Sequence, residues 1–307
     1  MIYKYSSIKS AIAIVKSGAV LLRSPLDFND PFDSAFCFDE KDRRKAFSLV
    51  YNGSILEYVF NSVGNGDIPL SGRQRKIFYF EKKALLACLR KDPHYSPIPF
   101  FNTYVSAVME RNEETKDVVE GAYHQFCEII ERNLKKAQSD ILISCFSKRN
   151  DSILMWSHYA DSHRGVCLEF PEPADSEFRT VRYSSKKLFF GLSNIASLYV
   201  GSRLLGESLR AVDSEITAKA SDPFFQKSKE WSYEEEVRCV FTETSNKKGL
   251  YFEHSNFYLQ MPKIFKVYLG CRASGSDLRI LKRLLQNRNI PFVPMKESES
   301  EYRIILK

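Results

Sequence analysis

Two short segments concentrate the side chains able to move protons or hold charge. The first, WSYEEEVRCVF, places Glu234, Glu235 and Glu236 just ahead of Arg238. If EEVRCVF is a strand, side chains alternate, so Glu234, Glu236 and Arg238 share one face while Glu235, Val237 and Cys239 share the other. Two carboxylates at that spacing raise one another's proton affinity and the guanidinium offsets part of the effect, which gives a poised acid–base or charge-stabilising group. A solvent-facing edge strand with one salt bridge is the plainer reading, and Trp231 with Tyr233 just upstream weighs against it. The second segment, MWSHYADSHRG, gathers two of the five histidines with Trp156 and Tyr159. On a helix, Ile153, Trp156, Ser157 and Ala160 form one stripe, with Tyr159 at its flank and His158 on the far side, facing solvent or a cleft. Placing Leu154, Met155 and Tyr159 in the core instead also satisfies the pattern. His158 there suits a proton carrier, a phosphate donor or a polar network. A third segment, DFNDPFD, carries carboxylates able to hold a divalent cation, although an Asx-turn accounts for the same residues.

These segments need elements to position them. IKSAIAIVKS at 8–17 follows a serine pair suited to capping and stops at Gly18, which predicts a short helix between strands IYKY and AVLLR. From about 40 to 138, charged stretches with helical apolar spacing, such as RKIFYFEKKALLACLRK and YHQFCEIIERNLKKA, predict a helical insertion packed on the core. After Asp140 the β pattern returns. ILISCFS reads as a strand, Asp151 or Ser152 caps SILMWSHYA as a helix, and Gly165 precedes the strand VCLEF. The stretch from about 186 to 220 reads as mainly helical, and EVRCVFT, IFKVYLG and YRIILK supply three more strands, with a helix from Ser276 to about Gln286 between the last two. The expected architecture is α+β: a mixed or antiparallel β core built by 1–39 and 139–307, with 40–138 inserted as a helical unit.

Composition narrows the function classes. The 307 residues are 44% hydrophobic and 27% charged, which excludes a disordered or fibrous chain. No apolar run approaches the ~20 residues that cross a bilayer, and MIYKYSSIK lacks the basic-then-apolar order of a secretory signal, so a cytoplasmic protein without a membrane partner is expected. The seven cysteines stand singly, with no CxxC pair, and read as reduced thiols rather than zinc ligands or disulfides. Lys plus Arg at 45 against Asp plus Glu at 38 gives a mild basic excess that favours phosphate-bearing partners. GxxxxGK[ST], a GxGxxG between strand and helix, HExxH, an EF-hand loop and GxSxG are all missing, which argues against P-loop nucleotide binding, zinc proteolysis, calcium sensing and α/β-hydrolase chemistry.

IYKYSS, FNDPFD, CFSKRNDSILMWSHYADSHRGVCLEF and KEWSYEEEVRCVF together resemble a bacterial family known as domain of unknown function 2971, over residues 2 to about 270. More distantly, the order of these motifs is similar to toxin-type ADP-ribosyltransferases. That resemblance implies a split, mixed β core that cleaves NAD as substrate, needs no metal, and transfers ADP-ribose to a nucleic-acid or protein acceptor, in a toxin or phage-defence setting. It implies Tyr3, Lys4 or Tyr5 as the first dinucleotide contact, Lys4 standing where such enzymes carry His or Arg, with His158 and Tyr159 as the middle element and Glu234–Glu236 as ExE. In that scheme Glu236 stabilises the charge that develops on the ribose, Glu234 orients or deprotonates the acceptor, Tyr159 stacks on nicotinamide, and Arg238 or Arg23 holds the diphosphate. Asn29, Asp30, Trp156, His163 and Trp231 complete the expected cofactor-binding set. Two rival readings remain: a metal-dependent nuclease or phosphodiesterase using Asp30, Asp33, Glu234, Glu236 and His158, and a non-catalytic binding module.

Overall fold

The computed structural model describes residues 1–35, 37–51, 116–173, 178–190, 222–243 and 245–307, with isolated helical positions between 61 and 90. The chain divides into two units, Met1–Ala35 with Lys136–Lys186 and Phe224–Lys307, and Phe36–Lys135 with Lys187–Pro223.

The first unit opens with strand β1 (Ile2–Ser6), helix α1 (Ile8–Ser17) and strand β2 (Ala19–Leu22). Ser7 stays extended and its hydroxyl accepts the Ser10 N–H at 3.2 Å, satisfying a donor that the first helical turn leaves unpaired. Gly18 closes the helix at φ 70°, a left-handed conformation that glycine adopts without a Cβ penalty, and its N–H reaches the Ile14 carbonyl at 2.8 Å. Strand β3 (Ile141–Ser147), helix α2 (Ile153–Tyr159) and strand β4 (Val166–Phe170) follow. Short strands β5 (Phe178–Thr180), β6 (Arg182–Ser184) and β7 (Gln226–Ser228) precede the long β8 (Glu236–Thr242). The chain then forms β9 (Leu250–Glu253), β10 (Asn256–Gln260), β11 (Lys266–Leu269), helix α3 (Ser276–Asn287), β12 (Phe292–Glu297) and β13 (Ile304–Leu306).

Eight strands make one sheet in the order β13-β12-β11-β4-β1-β3-β8-β5, and a smaller sheet runs β9-β10-β2. Within the large sheet β11 and β12 pair in parallel, because helix α3 returns the chain between them, while the other pairs are antiparallel. The fold is thus α+β with a mixed, open sheet. Alternation along the strands sends Ile2, Leu168, Val237 and Val267 into the cluster holding Val15 of α1 and Leu281 and Leu285 of α3. Tyr5, Cys167 and Tyr268 go to a separate cluster with Met155 and Trp156 of α2. Both sides of the sheet's centre are therefore covered, and β4 is buried at every position.

Among the strands beyond the sequence expectation are a hairpin and β12. The β9–β10 hairpin turns at His254-Ser255, whose φ angles of 47° and 61° meet the positive-φ demand of a two-residue turn without the usual Asn-Gly, so the pattern carries no turn signal. Strand β12 contains Pro294, which argues against a strand in sequence; its carbonyl accepts the Lys307 N–H at 2.9 Å.

In the second unit, helix Glu40–Tyr51 packs Ala46 and Phe47 against Ala122, Tyr123 and Phe126 of the helix Lys116–Ser139. Arg44 ties the two together through Glu120 at 3.0 Å and also pairs with Glu40 of its own helix at 3.0 Å. Cys37–Phe38 pairs in parallel with Phe189–Phe190. Much of 40–138, and the stretch 191–220 read as helical, lie outside the described residues. Among the described residues no helix is long and apolar enough to cross a membrane.

Candidate functional site

Strands β1 and β3 pair only at Tyr3↔Ser147. Farther along β3, Ile143 exchanges backbone hydrogen bonds with Arg23, just past β2, at 2.8 and 2.9 Å. Where the strands part, Lys4 turns its ammonium to the Ser144 hydroxyl at 2.9 Å and the Cys145 carbonyl at 2.8 Å. A cavity of about 530 Å³ lies here, walled by β1, β3, α2, the turn after β2, and the residues from Lys227 to Arg238. Burial lowers the proton affinity of Lys4, and among the described residues no carboxylate pairs with it.

The acidic wall is a charge cluster. Arg238 is fully buried on β8 and forks to two carboxylates at once. Its Nε and Nη2 reach Glu236 at 2.7 and 2.9 Å, and its Nη1 and Nη2 reach Asp33 at 2.8 and 2.6 Å. Nη1 also donates to the Ser34 hydroxyl at 3.1 Å and the Phe224 carbonyl at 2.9 Å, so the guanidinium is saturated. Lys227 of β7 adds a second cation, 2.6 Å from Glu234, 3.4 Å from Glu236 and 3.5 Å from Asp33. Three buried carboxylates against two cations leave one formal negative charge in the cluster.

That excess falls unevenly. Burial alone would raise the Glu236 carboxyl, but the charge and hydrogen bonds of Arg238, reinforced by Lys227, outweigh it and hold Glu236 at about 2. For Glu234, burial is the largest influence and the neighbouring Glu236 adds to it; Lys227 and the Tyr159 hydroxyl offset only part, so its proton affinity is raised. Two residues apart in sequence, one carboxylate is held well below the ordinary glutamate range and the other is pushed above it.

Local backbone explains how both face one way. Alternation through EEVRCVF is not the cause, because the strand begins at Glu236. Residues Lys229–Glu234 instead form a 3₁₀ turn capped by Ser228, and Glu235 at φ 42° takes a left-handed conformation. That twist sends Glu235 to solvent, 3.5 Å from Arg149, and leaves Glu234 buried beside Glu236. Ser147 fixes the twist by donating to the Glu234 carbonyl at 2.6 Å, and the Lys148 N–H reaches the Glu235 carbonyl at 2.9 Å. Since β8 lies between β3 and β5, the solvent-facing edge-strand reading is set aside.

Helix α2 brings the second segment in. Ser152 caps it, and Met155, Trp156 and Ala160 are buried while Ile153 and Leu154 are exposed, so the inward stripe is neither of the two expected from sequence. Packing of Met155 and Trp156 beneath Tyr5 decides the rotation. Tyr159 then points its hydroxyl at Glu234 Oε1, 2.7 Å away, and burial together with Glu234 pushes its phenol proton affinity up. His158 is exposed on the cavity wall, its ring 6.3 Å from Tyr233.

Glu234, Glu236, His158, Tyr159, Tyr3, Lys4, Tyr5, Arg23, Asn29 and Arg238 therefore line one cavity. Tyr3 and Tyr5 spend their hydroxyls on Glu169, at 3.4 Å, and on the Arg149 carbonyl, at 3.0 Å. Other candidates lie elsewhere. Trp156 is sealed in the core, donating to the Asn150 carbonyl at 2.8 Å. Asp30 closes an Asx-turn on the Phe32 N–H at 2.9 Å. His163 sits 3.0 Å from the Ser157 hydroxyl beside a different cavity, and Trp231 covers the Lys227 ammonium at 4.7 Å. Sequence reasoning missed Lys227 altogether, since FFQKSKEW carries no signal beyond ordinary charge. Among the described residues no three of His, Cys, Asp or Glu are grouped to hold a metal ion; in the acidic cluster Lys227 and Arg238 stand where one would sit.

The sequence model of a protein family of unknown function, DUF2971, matches residues 155–239, from Met155 in α2 to Cys239 in β8. That span contains Tyr159, Lys227, Glu234, Glu236 and Arg238. No curated protein and no solved structure matches the chain.

Proposed function

We propose that this cavity cleaves the bond between nicotinamide and ribose in NAD and passes ADP-ribose to a macromolecular acceptor. The observation that supports it best is the opposed proton affinities of Glu234 and Glu236 on one cavity wall, since such a split separates the roles of two carboxylates. As the glycosidic bond breaks, its electron pair leaves with neutral nicotinamide and positive charge grows on the ribose. Glu236, ionised at any working pH, supplies fixed negative charge for that state. Glu234 takes the proton that the acceptor loses as its lone pair bonds to the ribose carbon. Tyr159 and His158 offer ring faces to nicotinamide. Arg238 is saturated, so the diphosphate falls to Arg23, which is exposed on the cavity wall and has no ion-pair partner among the described residues.

The test is release of nicotinamide from NAD by the purified chain. Wild type should release it, and Glu234→Gln should slow release by about 10²-fold or more with an unchanged melting profile. Release unaffected by Glu234→Gln removes the assignment. The nuclease reading gains from Asp33 lying beside β8, but it requires a cation to displace Lys227; nucleic-acid cleavage abolished by a chelator would favour it over the transferase.

A further inference from the structure

We propose that Lys227 is the positioning residue of this cavity: its ammonium holds the Glu234 carboxylate at the wall and keeps Glu234 and Glu236 from driving each other apart. The role rests on the transferase reading for its consequence, but on geometry for its existence. Lys227 Nζ stands 2.6 Å from Glu234 Oε2, 3.4 Å from Glu236 Oε2 and 3.5 Å from Asp33 Oδ2, with its side chain 5% exposed. Among the described residues it is the one cation in contact with Glu234, because every donor of Arg238 is committed to Asp33, Glu236, Ser34 and Phe224. An ammonium with three donors suits this place, since it meets three carboxylates converging from a turn, a 3₁₀ segment and a strand. The indole of Trp231 lies over the ammonium at 4.7 Å and closes it from solvent. Short β7 carries Lys227 there by pairing with β6, Tyr183↔Lys227, and the Tyr183 hydroxyl in turn accepts the Glu236 N–H at 2.8 Å.

Glu234 is faced by Lys227 from β7, Tyr159 from α2, Tyr183 from β6, Glu236 from β8 and Tyr233 from its own turn; Glu236 is faced by Arg238, Lys227, Tyr159, Tyr183, Asp33 on the turn, Lys4 on β1 and Cys145 on β3. Of these, Lys227 alone contributes positive charge in direct contact with Glu234. Removing it leaves two buried carboxylates on one wall with the compensating charge on one side only, which raises the proton affinity of Glu234 further.

The experiment is a side-chain carboxyl NMR titration of the ligand-free protein, with wild type, Lys227→Met and Lys227→Arg. Wild type should show one glutamate ionised down to about pH 2 and Glu234 titrating above the ordinary glutamate range. In Lys227→Met the Glu234 midpoint should rise by about one unit or more, and Lys227→Arg should return it close to wild type. The alkaline-going limb of nicotinamide release should shift upward with it, because Glu234 must be ionised to act as base. A folded Lys227→Met with an unmoved Glu234 midpoint overturns the proposal. If that variant does not fold, Lys227→Arg decides: a midpoint displaced by a full unit despite the retained charge overturns it, and one near wild type supports it. Titrations as expected with no nicotinamide release from wild type would sink the transferase reading and leave the placement of Lys227 standing.

Discussion

Arg238 joins Asp33, from the NDPFD turn, to Glu236, from the strand, and no solvent reaches any of the three in quantity. Breaking such a pair strands charge in a low-dielectric interior. Arg238→Met should therefore lose about 3–5 kcal/mol, read as a lower urea midpoint. The pH dependence has a fixed sign. Glu236 titrates at about 2 against an ordinary 4.5, a depressed value, so its contribution to stability is full above about 4.5 and is lost as pH falls towards 2. The melting temperature should drop across that window; a flat profile between pH 4.5 and 2 would contradict the pairing. At this scale the sequence showed that Glu234, Glu236 and Arg238 are neighbours; alternation along β8 accounts for Glu236 and Arg238, but the left-handed Glu235 is what brings Glu234 beside them. Lys227 stayed invisible because only tertiary pairing of β6 with β7 gives a plain surface-type lysine its carboxylates.

Between elements, the position of α2 depends on the turn that follows it. A Cβ on Gly165 would stand 2.2 Å from the Ser6 carbonyl oxygen and 2.8 Å from that of Ala160, and one on Gly270 would stand 2.1 Å from the His163 carbonyl oxygen. These neighbours are backbone and cannot give way cheaply. Gly165→Ala should thus destabilise by more than about 1 kcal/mol and also slow nicotinamide release, since the same turn seats Tyr159 against Glu234; thermal melts and the release assay check both. The β1–α1–β2 opening, β3, α2, β4 and α3 were legible because each has a cap, a helical period or a compact apolar run. The β9–β10 hairpin and β12 were not, since His254-Ser255 and Pro294 lack or contradict the local signal on which such reading depends.

Across the whole molecule, 45 basic against 38 acidic residues give a formal charge of +7, while the cavity sets an acidic wall against Lys4 and Arg23, neither of which has an ion-pair partner among the described residues. A ligand with an anionic diphosphate and a cationic ring fits both features. Because exposed charge is screened once the Debye length shrinks from ~30 Å at 0.01 M to ~8 Å at 0.15 M salt, NAD should bind several-fold more weakly at the higher ionic strength, and Arg23→Ala should reduce that salt dependence in calorimetric titrations. Cleavage at the glutamate wall is tested most directly by the crystal structure of Glu234→Gln, slowed in turnover, grown with NAD. The expected result is the nicotinamide ring against Tyr159 and His158, with the ribose on Glu236 and the diphosphate at Arg23. An intact dinucleotide bound away from Glu234 and Glu236, or a cavity left empty at saturating NAD, would contradict it.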